Sequence, residues 1–84
     1  MLKDVVHVEH LGDYRLLLTF EGNEQREVDL AGLIPFDGVF GPLKDADYFR
    51  QVRVNPDVGT IVWPNGADLC PDVLYERSEP PEGD

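Results

Sequence analysis

Residues 14–30, YRLLLTFEGNEQREVDL, decide how the chain folds. Tyr14, Leu16, Leu18 and Phe20 alternate with Arg15, Leu17 and Thr19, the clearest period of two in the sequence. Successive strand side chains point to opposite faces, so this run predicts a half-buried central strand. Glu21, Gly22 and Asn23 read as a hairpin turn, with Gly22 available for positive φ. Residues 24–30 resume the alternation, with Arg26, Val28 and Leu30 on one side and Gln25, Glu27 and Asp29 on the other. Their thin apolar content predicts an edge strand. Upstream, residues 5–10 alternate loosely, Val6 and Val8 against His7 and Glu9, and predict a first strand that turns at Leu11, Gly12 and Asp13.

Downstream, residues 31–49, AGLIPFDGVFGPLKDADYF, break regular patterning with their Gly and Pro residues. The same segment carries Leu33, Ile34, Phe36, Val39, Phe40 and Leu43, too many apolar groups for a free linker. It predicts a packed connection over the sheet. Asp45 predicts the cap of a short helix through Gln51, with Ala46 and Phe49 facing inward. Residues 51–55 and 60–63 predict a second hairpin across Asn55-Pro56-Asp57 and Gly59. Pro64-Asn65-Gly66 predicts a further turn. Pro71 suits the first position of a last helix, with Asp68 or Cys70 at its cap and Asp72 in its first turn. The predicted class is α+β: a small antiparallel meander of about five strands with two short helices packed on one side. Residues 1–77 read as one domain, and the tail 78–84, SEPPEGD, as disordered and acidic.

A chain of 84 residues is one domain with a thin core. It has no apolar run of membrane-spanning length and no signal-peptide pattern at its start. A single Cys makes no internal disulfide, which predicts a reduced, cytoplasmic setting. Seventeen acids against seven basic residues give a formal charge of −10. That sign disfavours direct nucleic-acid binding and anionic membrane surfaces, and it favours a basic protein partner. An acidic surface also serves plain solubility.

No catalytic set stands out. His7 and His10 are three apart in a strand-like run and point to opposite faces, so they do not share one metal. Cys70 lies between Asp68 and Asp72, and flanking carboxylates disfavour a thiolate. Close acid pairs such as Asp45/Asp47 are expected in any acidic chain. Arg50 and Arg53 form the one local basic feature, readable either as a small anion or protein contact flanked by Tyr48 and Phe49 or as partners of Asp45 and Asp47 across one helical turn. The sequence therefore predicts no enzyme, no metal and no cofactor.

Residues 59–76, GTIVWPNGADLCPDVLYE, hold the only Trp and the only Cys. One reading makes Trp63, Asn65, Asp68 and Tyr75 the floor and rim of a small binding pocket. In the other, Trp63 and Tyr75 pin the last helix to the sheet, Asn65-Gly66 makes the turn and Asp68 caps. A thin core favours the second.

The pattern VFGPLKD, then YF, then VRVNPDVGTIVWPNGADLCPDVLY resembles the DUF2442 family of small bacterial proteins of unknown function. The likeness covers nearly the whole chain, and GTIVWPNGADLCPDVLY is its most specific part. It implies a small antiparallel sheet with short helices and supplies no catalytic residues. Members often lie beside another short reading frame, in an arrangement similar to toxin–antitoxin pairs. Some add a helix-turn-helix domain, for which this chain is too short. Two functions are therefore expected to compete. One is an acidic, antitoxin-like interaction module for a basic protein encoded next to it, with an exposed apolar patch or unpaired strand edge that a homodimer could hide. The other is a ligand-binding or sensor domain with a pocket at Trp63.

Overall fold

The computed structural model describes residues 3–81. Among them, β1 (Val5–Gly12), β2 (Arg15–Phe20) and β3 (Glu24–Asp29) form an antiparallel sheet in the order β1-β2-β3. Strand β2 is central, as its alternation predicts. Leu16, Leu18 and Phe20 are fully buried, and Leu17 is only half-buried. The β2–β3 register sets Leu16 against Val28, Leu18 against Arg26 and Phe20 against Glu24. The turn between them is the expected one, with Gly22 at φ 85° and Asn23 at φ 68°.

Strand β1 departs from the sequence reading at its start. Its register against β2 slips by one residue between Val5 and His7. Such a bulge moves every later side chain to the other face. Val5 thus takes the core position opposite Phe20, while Val6, expected to pair with Val8 on one face, is left 53% exposed. A single sequence offers no period to announce an inserted residue.

The five strands divide between two sheets. β4 (Arg53–Asn55) and β5 (Thr60–Val62) make a separate antiparallel hairpin, with Val54 opposite Ile61. The connection before it is packed, as predicted. It winds through short 3-10 turns at Leu30–Gly32 and Gly38–Lys44 and buries Leu30, Ile34 and Leu43. Val39, counted among its inward groups, is half exposed instead. The first helix, α1 (Ala46–Phe49), is capped by the Asp45 carboxylate, which accepts from the Asp47 N–H. It ends at Phe49, short of Gln51. The last helix, α2 (Pro71–Arg77), has Pro71 in its first turn. Cys70 holds its cap position without a side-chain bond. Asp68 does not cap it; its backbone pairs with Val62 across the preceding turn.

Both helices feed one core. Phe49 from α1 and Leu74 from α2 join Leu16, Leu18, Phe20, Ile61 and Trp63 in a single apolar cluster. The opposite face of the three-stranded sheet carries His7, Glu9, Arg15, Leu17, Gln25 and Glu27, a mostly polar set suited to solvent. His10 lies across from Leu16 on the core side and His7 across from Thr19 on the other, so the two histidines do face apart.

Residues 78 and 79, expected to open a disordered tail, are bonded to the sheet. Glu27 and Glu79 exchange both backbone hydrogen bonds, at 2.7 and 2.9 Å, so the chain after α2 adds a short bridge to the β3 edge. Ser78 is buried, and Arg26 donates from Nε to its hydroxyl and from a terminal nitrogen to its carbonyl, both at 2.7 Å. The low apolar content of SEPPEGD hid this, because the segment is held by polar bonds. Residues 82–84 of the predicted tail lie outside the described residues.

Candidate functional site

The four residues singled out around Trp63 do not gather at one pocket. Trp63 follows β5 and is only 1% exposed. Its indole N–H donates to the Phe49 carbonyl at 3.0 Å, and its ring lies 5.7 Å from the Phe49 ring. A buried indole needs such an acceptor. Trp63 is therefore a rivet, but it pins α1 rather than α2. It presents no open face to a ligand, and it lines neither the depression beside Tyr75, nor that beside Glu79, nor that beside Gly59. The peptide bond between Trp63 and Pro64 is trans, like the others among the described residues.

Asn65 builds the turn. Its side-chain oxygen accepts from the Ala67 N–H at 3.1 Å, and its amide nitrogen donates to the Val39 carbonyl at 2.9 Å. Gly66 closes the turn with a bond to the Trp63 carbonyl, at φ 89°. The turn thereby ties the 3-10 segment around Val39 to the hairpin. Asp68 is exposed and points no bond at Trp63.

Tyr75 is half-buried and belongs to a different site. It pins α2 to the sheet through an edge-on contact with Phe20, ring centroids 5.1 Å apart. Its hydroxyl donates to Glu24 at 2.8 Å. Two cations stand by the ring, Arg26 at 4.5 Å and Lys3 at 5.6 Å from its centroid. Lys3 also pairs with Glu24 at 2.7 Å. The bond from Lys3 and then that from Tyr75 hold the Glu24 carboxyl below the usual carboxylate value. The Glu24 carboxylate in turn raises the Lys3 ammonium above its ordinary value. Beside this cluster lies an open depression of about 300 Å³ lined by Lys3, Asp72, Tyr75 and Glu76. The hydrogen bonds Lys3–Glu24 and Tyr75–Glu24 join residues 21 and 51 positions apart, so no local pattern announces them. Only the Tyr, aromatic and polar at once, could have pointed there.

The other features read from the sequence stay apart. Arg50 pairs with Asp47 one helical turn away, both exposed, an arrangement that adds little stability. Asp45 is used as a cap, and Arg53 has no ion pair among the described residues. Cys70 is exposed. His10 packs edge-on against Phe49 at 5.6 Å and bonds through Nε2 to the Asp13 carbonyl. No group of three or more His, Cys, Asp or Glu side chains among the described residues is arranged to hold a metal. No described helix is long and apolar enough to cross a membrane.

The strand order, the packed 3-10 connection and the Trp63 turn fall within one continuous match to a family model spanning residues 5–80. The chain belongs to the family described as Protein of unknown function (DUF2442). The match takes in all five strands and both helices. No curated protein and no solved structure matches the chain.

Proposed function

We propose that this DUF2442 chain is a cytoplasmic, acidic protein-interaction module. It binds a basic protein encoded next to it, as the antitoxin-like member of a two-gene pair. The observation that carries this reading is the state of its carboxylates. Among the described acids only Glu24, Glu27 and Asp47 meet a basic side chain within ion-pair distance. Asp4, Glu9, Asp13, Glu21, Asp57 and Asp68 are exposed with no such partner. With a formal charge of −10, their field is directed outward rather than consumed inside the fold. Such a field speeds encounter with a basic surface and repels nucleic acid and anionic lipid. The antitoxin-like part rests on the two-gene arrangement that the resemblance to the family implies, and an acidic cover over a phosphate-binding surface would silence an RNA-cleaving partner. The burial of Trp63 speaks against the competing reading of a ligand pocket at that residue.

Co-expression of this chain, tagged, with the product of the adjacent reading frame tests the reading. Size-exclusion chromatography is expected to show the two co-eluting. A chain that elutes alone, as a folded monomer or homodimer, overturns it.

A further inference from the structure

We infer that the depression between the start of β1 and the β4–β5 turn receives a basic side chain, arginine or lysine, of the protein partner. This rests on the interaction reading and gives it an anchor point. The depression measures about 250 Å³ and is lined by Asp4, Val5, Val6, Glu21, Val54, Pro56 and Gly59. Val6, Val54 and Pro56 supply apolar walls, and Asp4 and Glu21 are exposed carboxylates at the rim. Lysine and arginine bury their methylene stems on apolar surface and keep their charged heads at a polar edge, which is the pattern this depression complements.

Its parts are positioned by the backbone. The Val5 N–H donates to the Gly59 carbonyl at 2.9 Å, and the Glu21 N–H to the Asp4 carbonyl at 3.0 Å. The Asp4 N–H donates to the Glu21 carboxylate at 3.3 Å. The bulge in β1 turns Val6 out of the core and onto the wall of the depression. Gly59, at φ 72°, allows the Asp4 carboxylate to lie over its Cα; a Cβ there would stand 2.5 Å from Asp4 Cγ. Neither rim carboxylate meets a basic side chain among the described residues. An acidic side chain would be repelled by both, and a neutral apolar one would leave both charges without a cation. The basic partner already inferred from the overall charge matches the remaining choice.

The test uses two capped tripeptides as probes, N-acetyl-Gly-Arg-Gly-amide and N-acetyl-Gly-norleucine-Gly-amide, titrated into the isotopically labelled protein and followed by amide NMR shifts. The arginine peptide is expected to shift Val6, Val54 and Gly59 selectively at millimolar concentration, and the norleucine peptide is not. The double variant Asp4→Asn, Glu21→Gln keeps the side-chain shapes, and its spectrum reports whether it folds. It is expected to weaken arginine-peptide binding about fivefold or more. Absence of shifts, shifts spread evenly over the acidic surface, or an unaffected variant overturns the assignment. Co-elution with the neighbouring protein separates the two failures. A complex whose affinity ignores the double variant leaves the interaction reading standing and removes this anchor. A chain that forms no complex overturns the interaction reading itself.

Discussion

Replacing Trp63 measures what the rivet contributes. The indole is almost wholly buried, packs beside Phe49 and makes one buried hydrogen bond to its carbonyl. Truncating a buried aromatic to alanine costs about 3–5 kcal/mol through lost transfer energy and the cavity left behind. Domains are stable by only about 5–15 kcal/mol, and a chain with a thin core sits toward the low end. Trp63→Ala is therefore expected to leave the protein close to half-unfolded at modest urea. Trp63→Phe separates packing from hydrogen bonding. It keeps a ring against Phe49 but loses the indole donor. The Phe49 carbonyl still accepts from the Val52 N–H at 3.3 Å, so the added cost of that bond is about 1–2 kcal/mol. Urea unfolding followed by far-ultraviolet circular dichroism gives both numbers, since the variants lack the only tryptophan. The expected order of stability is Trp, then Phe, then Ala. An alanine variant within about 1 kcal/mol of the parent would refute the rivet, because no buried aromatic is lost that cheaply.

Three further outcomes follow from the same geometry. The folded state lowers the Glu24 carboxyl, so its contribution is present above the unfolded value and is lost as pH falls through the lowered one. Glu24→Gln is therefore expected to lower the melting temperature near neutral pH and to match the parent in strong acid; an equal gap at both ends contradicts the Lys3–Glu24–Tyr75 cluster. Ending the chain after Arg77 removes the bonds of Ser78 and Glu79 to Arg26 and Glu27. It should cost roughly 2 kcal/mol and speed hydrogen exchange at the Glu27 amide. Gly59→Ala forces a left-handed φ on a side chain that also meets the Asp4 carboxylate, and a loss of about 1–2 kcal/mol in denaturant unfolding is expected.

The legible parts of the fold were those written in local periodicity. The alternation in residues 14–20 placed β2 in the centre, and the Gly22-Asn23 turn set the hairpin. Asp45 and Pro71 marked the starts of α1 and α2 through cap and first-turn chemistry. What was hidden depended on distant pairing. The β1 bulge exists only relative to β2, and it is what exposes Val6. The bridge from Glu79 to Glu27 joins polar residues with no hydrophobic signature. Trp63 was recognisable as a pin, but which element it pins is decided by the Phe49 carbonyl fourteen positions away. Tyr75 was correctly singled out and wrongly grouped. Its partners Lys3, Glu24 and Arg26 all come from the first third of the chain. The Asp4–Glu21 rim was missed for the same reason, since it forms only when β1 and β2 are paired.

Under the proposed function, the unpaired acidic surface meets a basic protein. The salt dependence of affinity for the product of the neighbouring reading frame tests it most directly, by calorimetric titration at low and high sodium chloride. Exposed charges more than a Debye length apart are screened, and that length shrinks from about 30 Å at about 0.01 M salt to about 10 Å at about 0.1 M. A complex held by this surface is expected to weaken at least tenfold across that range, an electrostatic loss of about 1.4 kcal/mol. Binding that keeps its strength as salt rises, or no binding at any salt, would rule out that role.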